Sequence, residues 1–226
     1  MPKRYALFFS LLLVLLPVAA RAQDTAPAVT KTSRFLSHFD LGLSGTALIT
    51  KSANGTVAEK AVVGSPYPLT YKASSSAGAL VTLRAEKSPY KGLELNYGYG
   101  RITTDYNCCN SFGGDFQSQV THNEITAGYL ARPPHPIFGF QPYVSAGAGV
   151  SSFNPTRNGG QGLQKQARAT YYYSAGLEDM IVGDRLGIRL GVRQLFYLAP
   201  DFDQNYLRIK KLTFTTEPQF GLYVHF

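Results

Sequence analysis

The chain has 226 residues, of which 44% are hydrophobic and 16% charged, with 22 glycines, 15 tyrosines, 14 phenylalanines and no tryptophan. Soluble domains carry about 25% charged residues on average, so the chain is poor in charge and rich in glycine and aromatic residues. This composition excludes a long coiled coil and a disordered tail. The net charge of +8 comes without clusters of Lys and Arg on predicted helices, which argues against nucleic acid as a partner.

The N-terminus carries the pattern of an export signal. Lys3 and Arg4 form a basic start, residues 6–18 are an apolar middle, and residues 20–22 (Ala-Arg-Ala) give a small-x-small cleavage site. The apolar run is shorter than the roughly 20 residues that a membrane-spanning helix needs. The predicted segments are a signal peptide at 1–22, a short leader at 23–34 and one β domain at 35–226.

The rest of the chain alternates apolar and polar residues with a period of two, which is typical of β-strands. Eight segments alternate in this way, each with one apolar face and one small or polar face. Most approach the roughly 9 to 11 residues with which a tilted strand crosses a bilayer, whereas soluble strands average about 5 to 6. The predicted strands are 39–49, 77–86, 93–100, 124–131, 138–151, 168–178, 186–193 and 212–226.

The connections between these strands are alternately long and short along the chain. A transmembrane barrel sorts its connections in this way, because tight turns lie at one end and long loops at the other. A soluble sandwich has no reason to do so. The sequence therefore predicts an all-β, eight-stranded antiparallel up-and-down transmembrane barrel. The long connections are 51–70, 105–118, 154–166 and 199–209, and the short ones are 87–91, 132–137 and 179–184.

Charged residues occur on the small or polar face of the strands, three cationic and four anionic. Side chains fill the interior of a narrow barrel, and buried charges must be paired. Arg84 and Glu94 flank one short turn at similar distances, so we expect them to face each other across adjacent strands. The alternative is a soluble barrel whose charged face is solvated. The predicted lumen network is Arg84, Glu94, Glu124, Glu178, Arg189, Arg193 and Glu217.

The last strand repeats apolar residues at every second position and ends on Phe226. Together with the export signal and the loop alternation, it resembles bacterial outer-membrane β-barrel proteins, in particular the small OmpA/OmpX-like eight-stranded group. The resemblance covers about residues 35–226 and implies a Gram-negative outer-membrane location, a leader in the periplasm and a central ionic plug. Because the sequence stops at Phe226, we do not expect the peptidoglycan-binding domain of OmpA. The assembly signal implied by the resemblance, read by the barrel-assembly machinery, is Phe220, Leu222, Val224 and Phe226.

Aromatic residues near the strand ends predict girdles at the two membrane interfaces. Ordinary β-propensity is the alternative for any single residue. The predicted girdle residues are Tyr97, Tyr99, Tyr106, Tyr171 and Tyr173 at the outer ends and Phe138, Phe140 and Phe226 at the opposite ends.

Two features of the long loops suggest chemistry. Cys108 and Cys109 are adjacent in an exported chain and are candidates for a loop disulfide, with intermolecular pairing or two reduced thiols as alternatives. Basic loop residues suggest contacts with the phosphates of lipopolysaccharide, because Lys and Arg bind phosphate oxygens well. Solvated loop charges are the alternative. The predicted lipopolysaccharide contacts are Arg168, Arg208, Lys210 and Lys211.

Three functional hypotheses follow. The first is a non-enzymatic integral barrel that stabilises the outer membrane and presents loops to the exterior. The second is a small gated pore with an Arg/Glu-plugged lumen, and the third is a lipid-modifying enzyme. The third lacks a histidine and serine in a His-x-Ser arrangement, although His122 shares a strand face with Glu124. We expect no cofactor and no metal, outer-membrane lipid as a partner, and a monomer.

Overall fold

The computed structural model describes residues 37–57, 67–108, 116–203, 207–209 and 211–226. The predicted signal peptide and leader, Cys109 and Lys210 lie outside these residues. Within them we find no helix with the length and hydrophobicity that a bilayer span requires. The strands are β1 Phe39–Thr50, β2 Ala53–Val57, β3 Tyr67–Ala73, β4 Ser76–Ser88, β5 Lys91–Cys108, β6 Phe116–Ala131, β7 Gln141–Pro155, β8 Gln166–Val182, β9 Leu186–Leu198, β10 Leu207–Arg208 and β11 Leu212–His225.

Eight of these strands close into an antiparallel barrel in the order β1, β4, β5, β6, β7, β8, β9, β11. The ring closes between the first and the last strand, where Asp40 pairs with His225 and Thr50 with Thr215. Closure satisfies the backbone groups that a sheet edge would leave unpaired, which a membrane environment demands. The predicted eight-stranded up-and-down barrel is confirmed.

An apolar belt surrounds the barrel. Along every barrel strand, successive side chains alternate between the outside and the lumen, and within the belt most outward side chains are aliphatic or aromatic. Leu93 is 62% exposed and Ile125 59% exposed, although both are large hydrophobic residues. Apolar side chains in such positions are stable where lipid replaces water. One belt residue from each strand is Leu43, Val81, Leu95, Ile125, Val144, Tyr171, Val192 and Phe220.

The two ends of the barrel differ. Short turns join β4 to β5, β6 to β7 and β8 to β9 at one end, which we call the turn end, and the start of β1 and the end of β11 also lie there. At the opposite end, the loop end, β2, β3 and β10 lengthen the wall. β2 pairs with β3 and β10, and β3 pairs with β5.

The long connections contain more strand than the sequence predicts. The third predicted strand stops at Gly100 and the fourth starts at Glu124, whereas β5 reaches Cys108 and β6 begins at Phe116. In these extensions Ile102, Tyr106 and Val120 are buried in the lumen, and polar residues face outward. The alternation is therefore inverted relative to the belt, because this part of the wall has water outside and a packed core inside.

The start of the fifth predicted strand is also wrong. β7 begins at Gln141, and Phe138 lies in the preceding turn with a φ of 53° and 96% exposure. Three prolines, at 133, 134 and 136, precede it and have no N–H to donate to a ladder. A turn therefore replaces the first residues of the predicted strand.

Paired glycines make room for a large side chain in the lumen. Gly128 of β6 lies opposite Gly147 of β7, and the ring of Tyr172 packs over both. A Cβ at Gly128 would overlap the Tyr172 hydroxyl and the Ala146 carbonyl oxygen. Small residues here are thus required by the packing of the lumen.

We expect Gly128→Ala to lower the free energy of unfolding by about 1 to 3 kcal/mol, because overpacking displaces neighbouring groups. Urea unfolding of the refolded barrel would measure it. Gly45→Ala is the matched control, since a Cβ at this outward glycine meets its nearest atom at 3.9 Å. Equal unfolding midpoints for the two variants would contradict the packing argument.

Candidate functional site

The lumen near the turn end holds a layer of ion pairs centred on Glu178. The Arg84 Nη1 and Arg189 Nε atoms lie 2.9 and 3.2 Å from Glu178 Oε2. Arg132 Nε donates to the other oxygen, Oε1. Arg84 Nε also lies 3.1 Å from Glu94 Oε2, and these two residues are opposite each other in register, as the spacing around their turn predicts. One carboxylate thus receives three guanidinium groups.

This layer contains three further charged residues, Arg132, Glu86 and Asp40, which the sequence analysis does not single out. Arg132 Nη2 lies 2.5 Å from Glu86 Oε1 and 3.7 Å from Asp40 Oδ2. His225 Nδ1 lies 2.5 Å from Asp40 Oδ1, which ties the last strand to the first. Asp40 and Glu86 lie on the polar faces of their strands, so periodicity could have found them. Arg132 lies at the end of a strand, where its direction depends on the turn.

Polar and aromatic groups add further contacts to these charges. Glu94 Oε1 accepts hydrogen bonds from Ser145 Oγ at 2.6 Å and from the Tyr172 hydroxyl at 2.8 Å. The Arg84 guanidinium lies 4.5 Å from the centroid of the Tyr143 ring, a cation–π distance. Such contacts satisfy part of the hydrogen-bonding capacity that buried charges retain.

A second ionic layer lies further towards the loop end and is centred on Arg193. Arg193 Nη1 lies 3.1 Å from Glu217 Oε2, and Nη2 donates to Glu124 Oε1. Nη2 also donates to Thr126 Oγ1 at 2.7 Å. The Arg193 guanidinium lies 4.4 Å from the centroid of the Tyr172 ring. The Tyr172 side chain thus lies between the two layers.

The structure therefore places all seven residues of the predicted network in the lumen, in two groups. The residues of both groups are at most 5% exposed. With Asp40, Glu86 and Arg132 included, ion pairs in the described lumen join four arginines to six carboxylates.

Above the second layer the lumen holds aromatic residues together with buried hydroxyl groups, such as those of Thr170 and Ser151. His122 stacks on Phe153 with a centroid distance of 4.9 Å, and Phe153 contacts Tyr197 at 5.3 Å. His122 is thus packed within an aromatic cluster. Nearer the loop end, Tyr71 lies 5.4 Å from Tyr106, and burial raises the pKa of the Tyr71 hydroxyl well above its ordinary value.

The segment Ala199–Asp203 closes the loop end of the lumen as a plug. Phe202 is 1% exposed and meets Tyr106 at a centroid distance of 6.4 Å. Gln166 holds the plug, since its Oε1 accepts the backbone N–H groups of Asp201 and Phe202, both at 3.0 Å. Gln166 Nε2 donates to Asp201 Oδ1 at 2.7 Å. Phe202 and Asp203 have φ angles of 50° and 54°, so side-chain anchoring holds an uncommon backbone conformation.

The predicted loop and surface residues have different environments. Arg168 pairs with Asp201 through Nη2 and Oδ1 at 2.8 Å, so it helps to anchor the plug. Lys211 is exposed, and only the backbone of Arg208 and Cys108 is described. The predicted disulfide and the Lys210 contact lie outside the described residues. The residues of the predicted assembly signal, Phe220, Leu222, Val224 and Phe226, are all exposed on the outside of the barrel.

One predicted girdle residue is misplaced. Tyr106 is fully buried in the lumen, where its hydroxyl donates to the Pro200 carbonyl oxygen at 3.0 Å. It is twelve positions from Glu94 and therefore lies on the same face of β5, whereas Tyr97 and Tyr99 point outward. Strand parity assigns it to the lumen once β5 is known to extend to Cys108.

The closed ring, the apolar belt and the ion-paired lumen define an eight-stranded transmembrane barrel. No family model and no curated protein sequence matches the chain. Among the solved structures that match the chain, two illustrate the shared fold. The outer membrane protein OprG from Pseudomonas aeruginosa aligns with a TM-score of 0.52 and 12% identity over 83% of this chain and 95% of its own. Neisserial surface protein A aligns with a TM-score of 0.51 and 10% identity over 84% and 97%. The predicted resemblance to small outer-membrane barrels is confirmed at the level of the fold.

We expect Arg193→Met to destabilise the barrel by about 3 to 5 kcal/mol, because it leaves Glu124 and Glu217 buried without their cation. Urea unfolding would measure the loss. Adding Glu124→Gln and Glu217→Gln should restore most of it, and Arg101→Met, at an exposed arginine, should change little. A small effect of Arg193→Met would show that the layer is solvated.

We expect Gln166→Leu to loosen the plug without unfolding the barrel, because two backbone N–H groups lose their acceptor. Hydrogen exchange of a peptide covering Ala199–Asp203 should accelerate about tenfold for each 1.4 kcal/mol lost. The control is Gln164→Leu, since Gln164 is exposed nearby. Unchanged protection in Gln166→Leu would mean that other contacts hold the segment.

Proposed function

We propose that this chain is a non-enzymatic integral outer-membrane protein that stabilises the membrane and presents its loop end to the exterior. The observation that carries this proposal is a filled lumen inside an apolar belt. The barrel has the outer surface of a membrane protein, and its interior is occupied by its own side chains. What remains available for interaction is the outside of the wall and the loop end.

The orientation follows from how such barrels are built. Short turns lie on the periplasmic side and long loops face outward. We therefore place the start of β1, the end of β11 and the turn end in the periplasm after export by the predicted signal peptide. The outward-facing Phe220, Leu222, Val224 and Phe226 are then accessible to the barrel-assembly machinery from the membrane side during insertion.

The filled lumen favours this role over a pore. Two ionic layers and the plug follow one another along the axis. The cavity beside His122, Glu124 and Glu217 has a volume of about 10 Å³, which holds about one water molecule. Conduction would require several ion pairs to separate together, and each would leave buried charge uncompensated.

The exterior role rests on loop-end chemistry. Lys211 is exposed at this end, while Arg168 already neutralises Asp201. We therefore assign Arg168 to holding the plug and propose Lys211, with Arg208 and Lys210 beside it in the sequence, as contacts for lipopolysaccharide phosphate.

The test of the proposed function combines location and conductance. The chain should fractionate with the outer membrane and should migrate differently on gels with and without boiling, because a closed barrel stays folded in detergent. In planar bilayers the purified protein should give no stable open channel. Recovery from the soluble fraction, or a steady conductance from the wild-type protein, would overturn the proposal.

A further inference from the structure

The outer wall of the barrel carries an apolar groove within the apolar belt. It crosses β8, β9, β11 and β1 and has a volume of about 520 Å³. Its floor is formed by the small or flat residues Gly45, Ala175 and Pro218, and Leu190 and Phe220 stand beside them. These small side chains leave the wall recessed here.

An aromatic row ending in a cation lies on the loop-end side of this groove. The ring centroids of Tyr173 and Phe196 are 5.6 Å apart, and those of Phe196 and Phe214 are 6.3 Å apart. Lys51 Nζ lies 5.1 Å from the centroid of the Phe214 ring. Rings of this kind lie at the membrane interface, so the ammonium group is at headgroup level.

Polar side chains lie between the row and the groove. Thr216 and Gln194 are directly opposite each other on β11 and β9, and both face outward. The Tyr173 hydroxyl donates to Gln194 Oε1, which fixes the amide. On β11 the order from the loop end is therefore Phe214, Thr216, Pro218 and Phe220.

This order matches the parts of a phosphorylated acyl lipid. A cation lies where a phosphate would be, a hydroxyl and an amide where ester or amide linkages would be, and an apolar groove where an acyl chain would be. The six residue-to-residue steps from Phe214 to Phe220 span about 20 Å at roughly 3.4 Å per step, so the groove can follow a single chain into the bilayer. Charge, polarity and shape thus point to the same kind of ligand.

We propose that the face formed by Lys51, Thr216, Gln194 and the groove binds one lipid A molecule of lipopolysaccharide. Lys51 contacts a phosphate, Thr216 and Gln194 contact the acyl linkages, and one acyl chain lies over Gly45, Ala175 and Pro218. The inference rests on the proposed function, because it requires the loop end to face the outer leaflet. It also places this specific contact with lipid A on one side of the barrel only.

Native mass spectrometry of the detergent-purified protein titrated with diphosphoryl lipid A tests the site. The wild type should bind one molecule. We expect Gly45→Phe and Ala175→Phe, which fill the groove, and Lys51→Glu, which reverses the charge, each to weaken binding about tenfold or more, equivalent to about 1.4 kcal/mol. Dephosphorylated lipid A should bind weakly to the wild type, and so should phosphatidylglycerol.

Matched controls separate the site from general effects. Ala127→Phe places the same side chain on the outward face of β6, and Arg101→Glu reverses an exposed charge on β5. Both should bind lipid A as the wild type does. Wild-type affinity in all three site variants, or equal affinity for phosphatidylglycerol, would overturn the inference. So would a wild-type dimer that Gly45→Phe dissociates, since the groove would then hold a second copy.

Gel mobility with and without boiling keeps the two proposals distinguishable. Variants that still show the folded-barrel mobility and fractionate with the outer membrane retain the proposed function, so loss of lipid A binding in them reports on this face alone. A barrel that inserts correctly and binds no lipid A would overturn the inference and leave the proposed function standing.

Discussion

The structure depends on compensating buried charge inside a closed ring. Closing eight strands into a ring gives the backbone groups of the first and last strands hydrogen-bond partners. The closed ring leaves a narrow lumen, and arginine and glutamate side chains occupy much of it. Glu178 receives three arginines, and Arg193 joins two glutamates. Because a buried charge without a partner costs several kcal/mol, these contacts fix the relative positions of strands that are distant in the sequence. Arg84 and Glu178, for example, are 94 residues apart.

Polarity inverts along the barrel axis. In the belt the outside is apolar and the lumen is ionic, whereas at the loop end the outside is polar and the lumen holds Tyr71, Tyr106 and Phe202. Each half obeys the same rule, that apolar groups avoid water. The surroundings of the outer face change from lipid to water between the two halves. Apolar residues therefore point outward in the belt and into the lumen at the loop end.

Because the interior of the barrel is filled, the proposed function takes place at its surface. The plug and the two ionic layers occupy the axis, so ligands meet the wall or the loop end. On the wall, the groove is lined by small and apolar residues, and Lys51, beside Phe214, gives it charge at one end only. A rigid barrel keeps these features at fixed separations, which is what selective recognition of one lipid within a bilayer needs.

Local alternation was sufficient to predict the strand number, the belt and the network residues, because a pleated strand places every second side chain on one face. It assigns Tyr106 to the lumen only once β5 is known to extend to Cys108. The sequence alone could not show that Arg132 reaches Glu178 and Glu86, or that Gln166 anchors Phe202, because such contacts depend on how a turn or loop folds back. Nor could it show the loop-end strands, whose inverted polarity is recognisable only once the position of the lipid boundary is known. Ring closure decided which charges meet, since it brings β1 and β11 together and makes one interior from eight separate polar faces.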